Sequence, residues 1–433
     1  MKLYNTLTKK IEDFAPTNSP HVGMYACGPT VYDYTHIGHL RKYVGDDILR
    51  RVLENEGFEV KHVMNITDVG HLVSDEDSGE DKMEKGARES GRTVWEVAKF
   101  YEDYFWKSVE SVNVQRPSVV AKATDHIEEQ IKLIHKLEKN GFIYITEQAI
   151  YFDISKFPNY TKLSGQKLEE KETGKRTDVV LDHHKKNPAD FALWFFTVGH
   201  FKYHSMRWSS PWGEGFPGWH IECSAMSMEY LGDSLDIHTG GIDHIPVHHT
   251  NEIAQSEAAT GKPFVRFWVH HNFLIVDGEK MSKSLKNFYR FEEIVQKGFD
   301  PLALRYLFLT AHYRDKLNFT WESLQAAQNT LNKLKEEIRA WEQPKGDVGQ
   351  FWQRFLEAAN NDLNMPQAVA VMHEMISSSS PTYSKAKTLL EMDKILGLGL
   401  DKYLGVTVEI PKPTEKLMPS KLRDLAYSSS CED

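Results

Sequence analysis

The sequence predicts an α/β protein, with a doubly wound, mostly parallel sheet over residues 1 to about 300, an insertion inside it, and helices after Asp300. Three observations carry this. The apolar run HVGMYACGP ends at Gly28-Pro29, as a strand entering a turn does. In LRKYVGDDILRRVLENEGF, Leu40, Val44, Ile48 and Val52 recur every fourth residue before a stop at Gly57, and EVKHVMNIT over 59–67 returns to strand character, completing a β-α-β unit. From Trp321 onward, Leu324, Ala327, Leu331, Leu334, Ile338 and Trp341 step by three or four through one long amphipathic helix.

At 433 residues the chain exceeds what one hydrophobic core usually serves. No apolar run approaches the ~20 residues that span a bilayer, and the start MKLYNTLTKK lacks the apolar centre of a secretory signal, so a cytoplasmic protein is expected. Three cysteines, Cys27, Cys223 and Cys431, are odd in number and far apart, which excludes a disulfide framework and leaves reduced thiols or metal ligands. With 52 basic against 62 acidic residues the net charge is −10, so a nucleic-acid partner must be held by local basic patches.

Between the two ends, TDHIEEQIKLIHKLEKN over 124–140 opens with a capping Thr or Asp and sets Ile127, Ile131, Ile134 and Leu137 on one helical face before Gly141. IYITEQAIYFDI reads as a short hairpin, and KLEEKETGKRTDVV over 167–180 as a charged loop. Residues 117–205 are therefore expected as the insertion. The last 28 residues carry Pro411, Pro413 and Pro419 and read as a loose tail.

Two short motifs carry chemistry. His36 and His39, in THIGHL, flank the start of the first helix, and their spacing sets both imidazoles on one face at its positive end, a corner that attracts phosphate. An isolated HxxH is more often a solvated first turn. In DGEKMSKSLKN, Asp277-Gly278 makes a turn followed by Lys280 and Lys283, two ammonium groups suited to a polyphosphate whose charge grows during reaction. A K-x-x-K alone is more often an ordinary surface turn. Pairing and order lift both, with HIGH early, KMSKS late, and β-α character around each.

HIGH followed by KMSKS resembles class I aminoacyl-tRNA synthetases, whose Rossmann-like core binds ATP between the motifs. Within that class CGPTVYDYTHIGH, NITDVGH, GWHIECSAM, HTGGID and HHTNEIAQSEA are similar to cysteinyl-tRNA synthetases, with a likeness running from about Leu3 to Ala370. The resemblance implies ATP, with Mg²⁺, bound by His36, His39, Gly240, Gly241, Asp243, Lys280 and Lys283. It implies a cysteine pocket at Thr67 and Trp219, and tRNA(Cys) as acceptor. It also implies one zinc ion held by Cys27, Cys223, His248 and Glu252. Spacing alone supports that ligand set poorly, because lone buried cysteines are usually inert and HxxxE is common on helices. A substrate thiolate is a strong soft ligand for zinc and a hydroxyl is not, and a site demanding one specific bond can reject an analogue by ~10⁴ without a proofreading domain. His244 and His249 are expected to shape the pocket or satisfy hydrogen bonds.

On this resemblance residues 1–116 form the first half of the catalytic core, 117–205 the connective insertion, and 206–300 the second half. Residues 301–345 form a stem-contact region, 346–405 an incomplete helical bundle on the anticodon side, and 406–433 the tail. The helical segment and closing strands that the family carries beyond about Leu404 are not matched, a departure on the anticodon side. A monomer is expected. Two other readings share parts of this pattern: the mycothiol-type ligase, which joins cysteine to an amino-sugar, and a non-catalytic synthetase paralogue. The long helix from Trp321 favours a tRNA acceptor over a sugar, and intact HIGH and KMSKS motifs favour catalysis.

Overall fold

Five short strands with apolar residues on both faces make the central sheet, and strands of that kind are stable only between two layers of helices. The computed structural model describes residues 1–70, 72–74, 78–166, 182, 184–281, 285 and 287–406. In chain order the first half holds a hairpin of β1 (Lys2–Asn5) and β2 (Lys10–Asp13), then β3 (His21–Ala26), α1 (Ile37–Asn55) and β4 (Glu59–Ile66). A small hairpin of β5 (Leu72–Ser74) and β6 (Ser78–Asp81) leads to α2 (Lys82–Ser90), α3 (Val94–Ser111) and β7 (Val119–Lys122). Next come α4 (Ile127–Lys139), β8 (Ile143–Ile145), β9 (Ala149–Phe152), β10 (Phe191–Phe196), β11 (Trp208–Ser210) and β12 (Gly213–Pro217). The second half runs α5 (Trp219–Leu231), β13 (Leu235–Gly241), α6 (His248–Thr260), β14 (Val265–His271), β15 (Leu274–Val276) and β16 (Glu279–Lys280). It ends with α7 (Phe291–Gln296), α8 (Pro301–Leu309), β17 (Leu317–Phe319), α9 (Trp321–Arg339), α10 (Gln350–Ala359), α11 (Met365–Ser377) and α12 (Thr382–Leu396).

The central sheet has the order β14-β13-β3-β4-β7, and every pair in it is parallel. The order reverses beside β3, which makes its carboxyl end the topological switch point where ligands bind in such sheets. Strand alternation sorts the side chains between layers. Val22, Met24 and Ala26 join the core under α1, while Tyr25 and, just past the strand, Cys27 face the opposite layer that holds Cys223. The α/β core, the β-α-β unit around α1 and the helical region after Asp300 are thus as read from the sequence, with β17 the one strand beyond Asp300 among the described residues.

The insertion bounds differ from expectation at both ends. β7 pairs with β4 inside the central sheet, with Val63 opposite Val119, so the core extends past residue 117. β11 and β12 belong with β8, β9 and β10 in one antiparallel five-stranded sheet, so the insertion extends past residue 205. The expected capping by Thr124 or Asp125 does not form either. Residues 123–126 make a 3₁₀ turn instead, and Thr124 donates its hydroxyl to Asp68 Oδ2 at 2.7 Å. The charged loop over 167–180 and the tail with Cys431 lie outside the described residues.

The helical region is continuous with the α/β core. Leu324, Ala327, Leu331, Leu334 and Ile338 on α9 share one buried cluster with Leu40, Val44 and Ile48 on α1. Arg305 on α8 ties these layers, because it is fully buried and all three of its nitrogens are used. Nε donates to the Leu396 carbonyl at 2.6 Å, Nη1 to those of Val112 and Asn113 at 3.0 and 3.1 Å, and Nη2 to Asp47 Oδ2 at 2.6 Å. Burial favours the neutral acid, yet Arg305 and Arg51 together hold the Asp47 carboxyl below its usual range. The stability this gives is present above the unfolded carboxyl pKa of about 4 and is lost as pH falls through the lower, folded value. Arg305→Ala is expected to cost about 3–5 kcal/mol, because it strands a buried carboxylate. Denaturant unfolding measures this, and a loss under about 1 kcal/mol would contradict it.

Candidate active site

The helix α1 begins with a histidine doing the work usually given to serine or aspartate. His36 is its N-cap, and its Nδ1 accepts from the backbone N–H of Gly38 at 3.1 Å and of His39 at 3.3 Å. Accepting at Nδ1 leaves the ring proton on Nε2. The His36 and His39 rings stack with centroids 3.5 Å apart. The segment after the KMSKS loop lies against this corner: Ile37 N–H donates to the Tyr289 carbonyl at 3.1 Å, and Phe288 meets the His36 ring edge-on at 4.7 Å. A Cβ on Gly38 would stand 3.0 Å from Met281 Cε, so glycine lets the HIGH turn and the KMSKS methionine close on each other. Lys280 ends the β15–β16 hairpin, one residue before Met281, and is exposed. Lys283 lies outside the described residues.

Four buried donors converge from the end of β3, from α5 and from α6. Cys27 follows β3, Cys223 sits on α5, and His248 opens α6 with Glu252 one turn later. One ligand atom from each lies within 4.8 Å of the others. Burial pushes both thiols up, Cys223 further than Cys27. Burial also opposes charge on His248, but the Glu252 carboxylate and the Cys223 thiolate raise it to about 10. Glu252 is held below the usual carboxylate range against its burial by His238 and His248. His248 Nε2 stands 2.9 Å from Glu252 Oε1, and His238 Nε2 stands 2.7 Å from Oε2. None of His238 Nε2, Oε1 and Oε2 makes a hydrogen bond of acceptable geometry. Two thiols, an imidazole and a carboxylate, buried and poorly satisfied by one another, are a donor set that fits a tetrahedral zinc ion.

The remaining candidates line the same carboxyl edge of the sheet. Thr67 follows β4, is buried, accepts from Asn65 Nδ2 at 3.1 Å and donates to Glu222 Oε2 at 3.0 Å. Trp219 opens α5 and lies over His248 with centroids 4.1 Å apart. Gly240 and Gly241 end β13, where a Cβ would fall 2.4 Å from His249 and 2.2 Å from Asp243 Oδ1 respectively. Asp243 itself is exposed on the following 3₁₀ turn. Gly28 is required for another reason: a Cβ there would lie 1.6 Å from the Asn65 carbonyl oxygen. Gly28→Ala is therefore expected to displace the Cys27–Pro29 turn and cut turnover by ~10²-fold or more, as misplacements of about 1 Å at a reacting centre do. Steady-state kinetics on folded protein checks this, and near-normal turnover would contradict it.

Residues 13–329 match the family model described as tRNA synthetases class I (C) catalytic domain. A Burkholderia lata protein named cysteine--tRNA ligase 1 is 47% identical over 424 residues, covering 98% of this chain and 89% of the relative. A Treponema denticola cysteine--tRNA ligase is 45% identical, covering 92% of this chain and 86% of the relative. The chain belongs to the cysteine--tRNA ligase family. Among solved structures, Mycobacterium tuberculosis methionyl-tRNA synthetase in complex with methionyl-adenylate superposes with a TM-score of 0.56 at 15% identity, covering 87% of this chain and 90% of that one, which shows a shared fold.

For a cysteine--tRNA ligase family member, several residues of the site were not legible in spacing. Glu222, fully buried one residue before Cys223, holds the Thr67 hydroxyl, and burial drives its carboxyl well up. Lys42, one turn beyond His39, donates to the Cys27 carbonyl at 2.5 Å and pairs with Asp46 at 2.7 Å. Asp46 in turn meets His271 Nε2 at 2.9 Å. His249, expected to shape the pocket, stands 3.3 Å from Cys27 Sγ and 2.8 Å from His270 Nε2. The available signal was polar residues inside otherwise apolar strands, such as His238 within LDIHTGG.

Proposed function

We propose that this chain is a cysteine--tRNA ligase, which activates L-cysteine with Mg-ATP and passes it to tRNA(Cys). In the first step a carboxylate oxygen of cysteine bonds to the α-phosphorus of ATP, the bond from that phosphorus to the oxygen bridging to the β-phosphate breaks, and pyrophosphate departs, leaving cysteinyl-adenylate. In the second, a hydroxyl of the tRNA's 3′-terminal adenosine attacks the adenylate carbonyl, and AMP leaves. The observation that carries the reading is the meeting of the HIGH turn and Met281 of the KMSKS segment, in a fold that also gathers four buried candidate metal donors.

Within this reading His36 and His39 donate to phosphate oxygens, His36 through Nε2 as a neutral imidazole, and Lys280 and Lys283 neutralise the departing pyrophosphate. Gly240, Gly241 and Asp243 receive adenosine, and Thr67 and Trp219 enclose the cysteine. Cys27, Cys223, His248 and Glu252 would hold a zinc ion, which when bound supplies a soft acceptor for the substrate thiolate. Residues 301–345 and 346–405 face the tRNA, and the chain works as a cytoplasmic monomer. No described helix is long and apolar enough to cross a membrane. The test is transfer of labelled cysteine: label is expected on tRNA(Cys) and not on glucosaminyl-inositol, and the reverse would overturn the assignment.

A further inference from the structure

The backbone around Cys27 is held at three points. The Cys27 N–H donates to the Thr239 carbonyl on β13 at 3.1 Å, and the next N–H, that of Gly28, donates to Asn65 Oδ1 on β4 at 2.7 Å. The third hold comes from a helix: Lys42 Nζ on α1 donates to the Cys27 carbonyl at 2.5 Å. A lysine on its flexible four-carbon stem fixes a partner only if it is fixed itself. Here the ammonium stands 2.7 Å from Asp46 Oδ2, one turn further along α1, and Asp46 Oδ1 faces His271 Nε2 at 2.9 Å at the end of β14. Asp46 and His271 are buried and Lys42 is nearly so. Glycine at position 45 lets the helix and the strand end close on each other, because a Cβ there would lie 2.3 Å from His271 Cε1.

Two features separate this chain of contacts from ordinary core satisfaction. A buried ammonium and carboxylate are costly to desolvate, and apolar side chains of similar size would hold α1 against the sheet as well or better. What the pair supplies is a fixed direction for the ammonium, which an apolar replacement would not give to a carbonyl. The second feature is the helix itself. The first turn of α1 bears His36 and His39, so the element that carries the HIGH turn also reaches, through Lys42, the backbone of a candidate metal donor.

We infer that Lys42 is a positioning residue for the metal site: locked by Asp46 and His271, it fixes the Cys27 backbone, and with it the Cys27 sulfur, relative to the HIGH turn on the same helix. The inference rests on the function proposed above, in which the thiol end of the substrate is fixed at the four donors and the phosphate end at His36 and His39. The tie through Lys42 then sets how the cysteine carboxylate meets the α-phosphorus. Lys42 acts through Cys27 and not on the reacting atoms. Partners that orient a metal ligand from outside are typically worth ~10- to 100-fold in metal affinity or activity.

The test uses the full chain with the pair replaced together, Lys42→Met with Asp46→Asn, so that neither charge is stranded. Zinc affinity, read by competition with a chromophoric chelator, is expected to fall ~10- to 100-fold. The preference for cysteine over serine should fall with it, while KM for ATP stays. Val52→Ala, a buried truncation further along α1, controls for lost stability: its melting temperature should drop and its zinc affinity hold. Asp46→Asn alone keeps the ammonium but releases it, and should weaken zinc binding in the same direction by a smaller factor. Unchanged zinc affinity in the double variant, or in Asp46→Asn where the double variant does not fold, would overturn the inference, as would an equal weakening in Val52→Ala. Failure of the underlying reading looks different: the unaltered chain would bind no tight zinc, or Cys223→Ser would keep it.

Discussion

Cys223→Ser is expected to lose stoichiometric zinc and to lower kcat/KM for cysteine by ~10³- to 10⁴-fold, with most of the preference over serine lost as well. The size follows from how little else separates the two amino acids. They differ by one atom, and an apolar pocket distinguishes such a pair by only about 1–3 kcal/mol, whereas a site that demands a specific bond reaches ~10⁴. Cys223 sits on α5 and Cys27 at the end of β3, so a metal between them also ties two layers together. Chelation should therefore lower the melting temperature of the unaltered chain and leave that of Cys223→Ser nearly unchanged. Metal analysis, kinetics with both amino acids and thermal melts check each part. Retained zinc with normal preference in Cys223→Ser would place the site elsewhere.

His39→Ala is expected to slow adenylate formation by ~10²- to 10³-fold, the usual cost of one donor at a developing charge. KM for cysteine should change little, since the residues proposed to enclose the amino acid, Trp219 and Thr67, are separate from the HIGH turn. A loss confined to the chemical step marks an interaction made mainly in the transition state. The stacked ring of His36, 3.5 Å away, loses its neighbour in this variant but keeps its cap on α1. Pre-steady-state measurement separates the step from product release, and an unchanged burst rate would remove His39 from the phosphate site.

The parts of the fold that were legible are those where one period dominates. Leu40, Val44, Ile48 and Val52 form a stripe that could only be a buried helix face, and the same holds for Leu324 through Ile338. The insertion bounds were not legible because the deciding strands are short and compositionally plain. VVAK over 119–122 and WSS over 208–210 acquire strand character from their partners β4 and β12, not from their own residues. Thr124 looked like a cap because its chemistry fits one, yet Asp68, 56 positions away, takes its hydroxyl. At the site, HIGH and KMSKS were legible as motifs proposed to bind phosphate, and family resemblance supplied the four residues that the structure brings together as a possible metal-binding group. The surrounding residues His238, Glu222 and Lys42 depend on burial and direction, and linear spacing carries neither.

The central claim is that the HIGH and KMSKS corner activates an amino acid chosen by the buried metal donors. Amino-acid-dependent ATP–pyrophosphate exchange on zinc-loaded protein tests it most directly. Robust exchange is predicted with cysteine, with serine lower by ~10⁴ in kcat/KM, and loss of the cysteine signal on zinc removal with recovery on its return. No exchange with cysteine, or exchange with serine at a comparable rate, would contradict it.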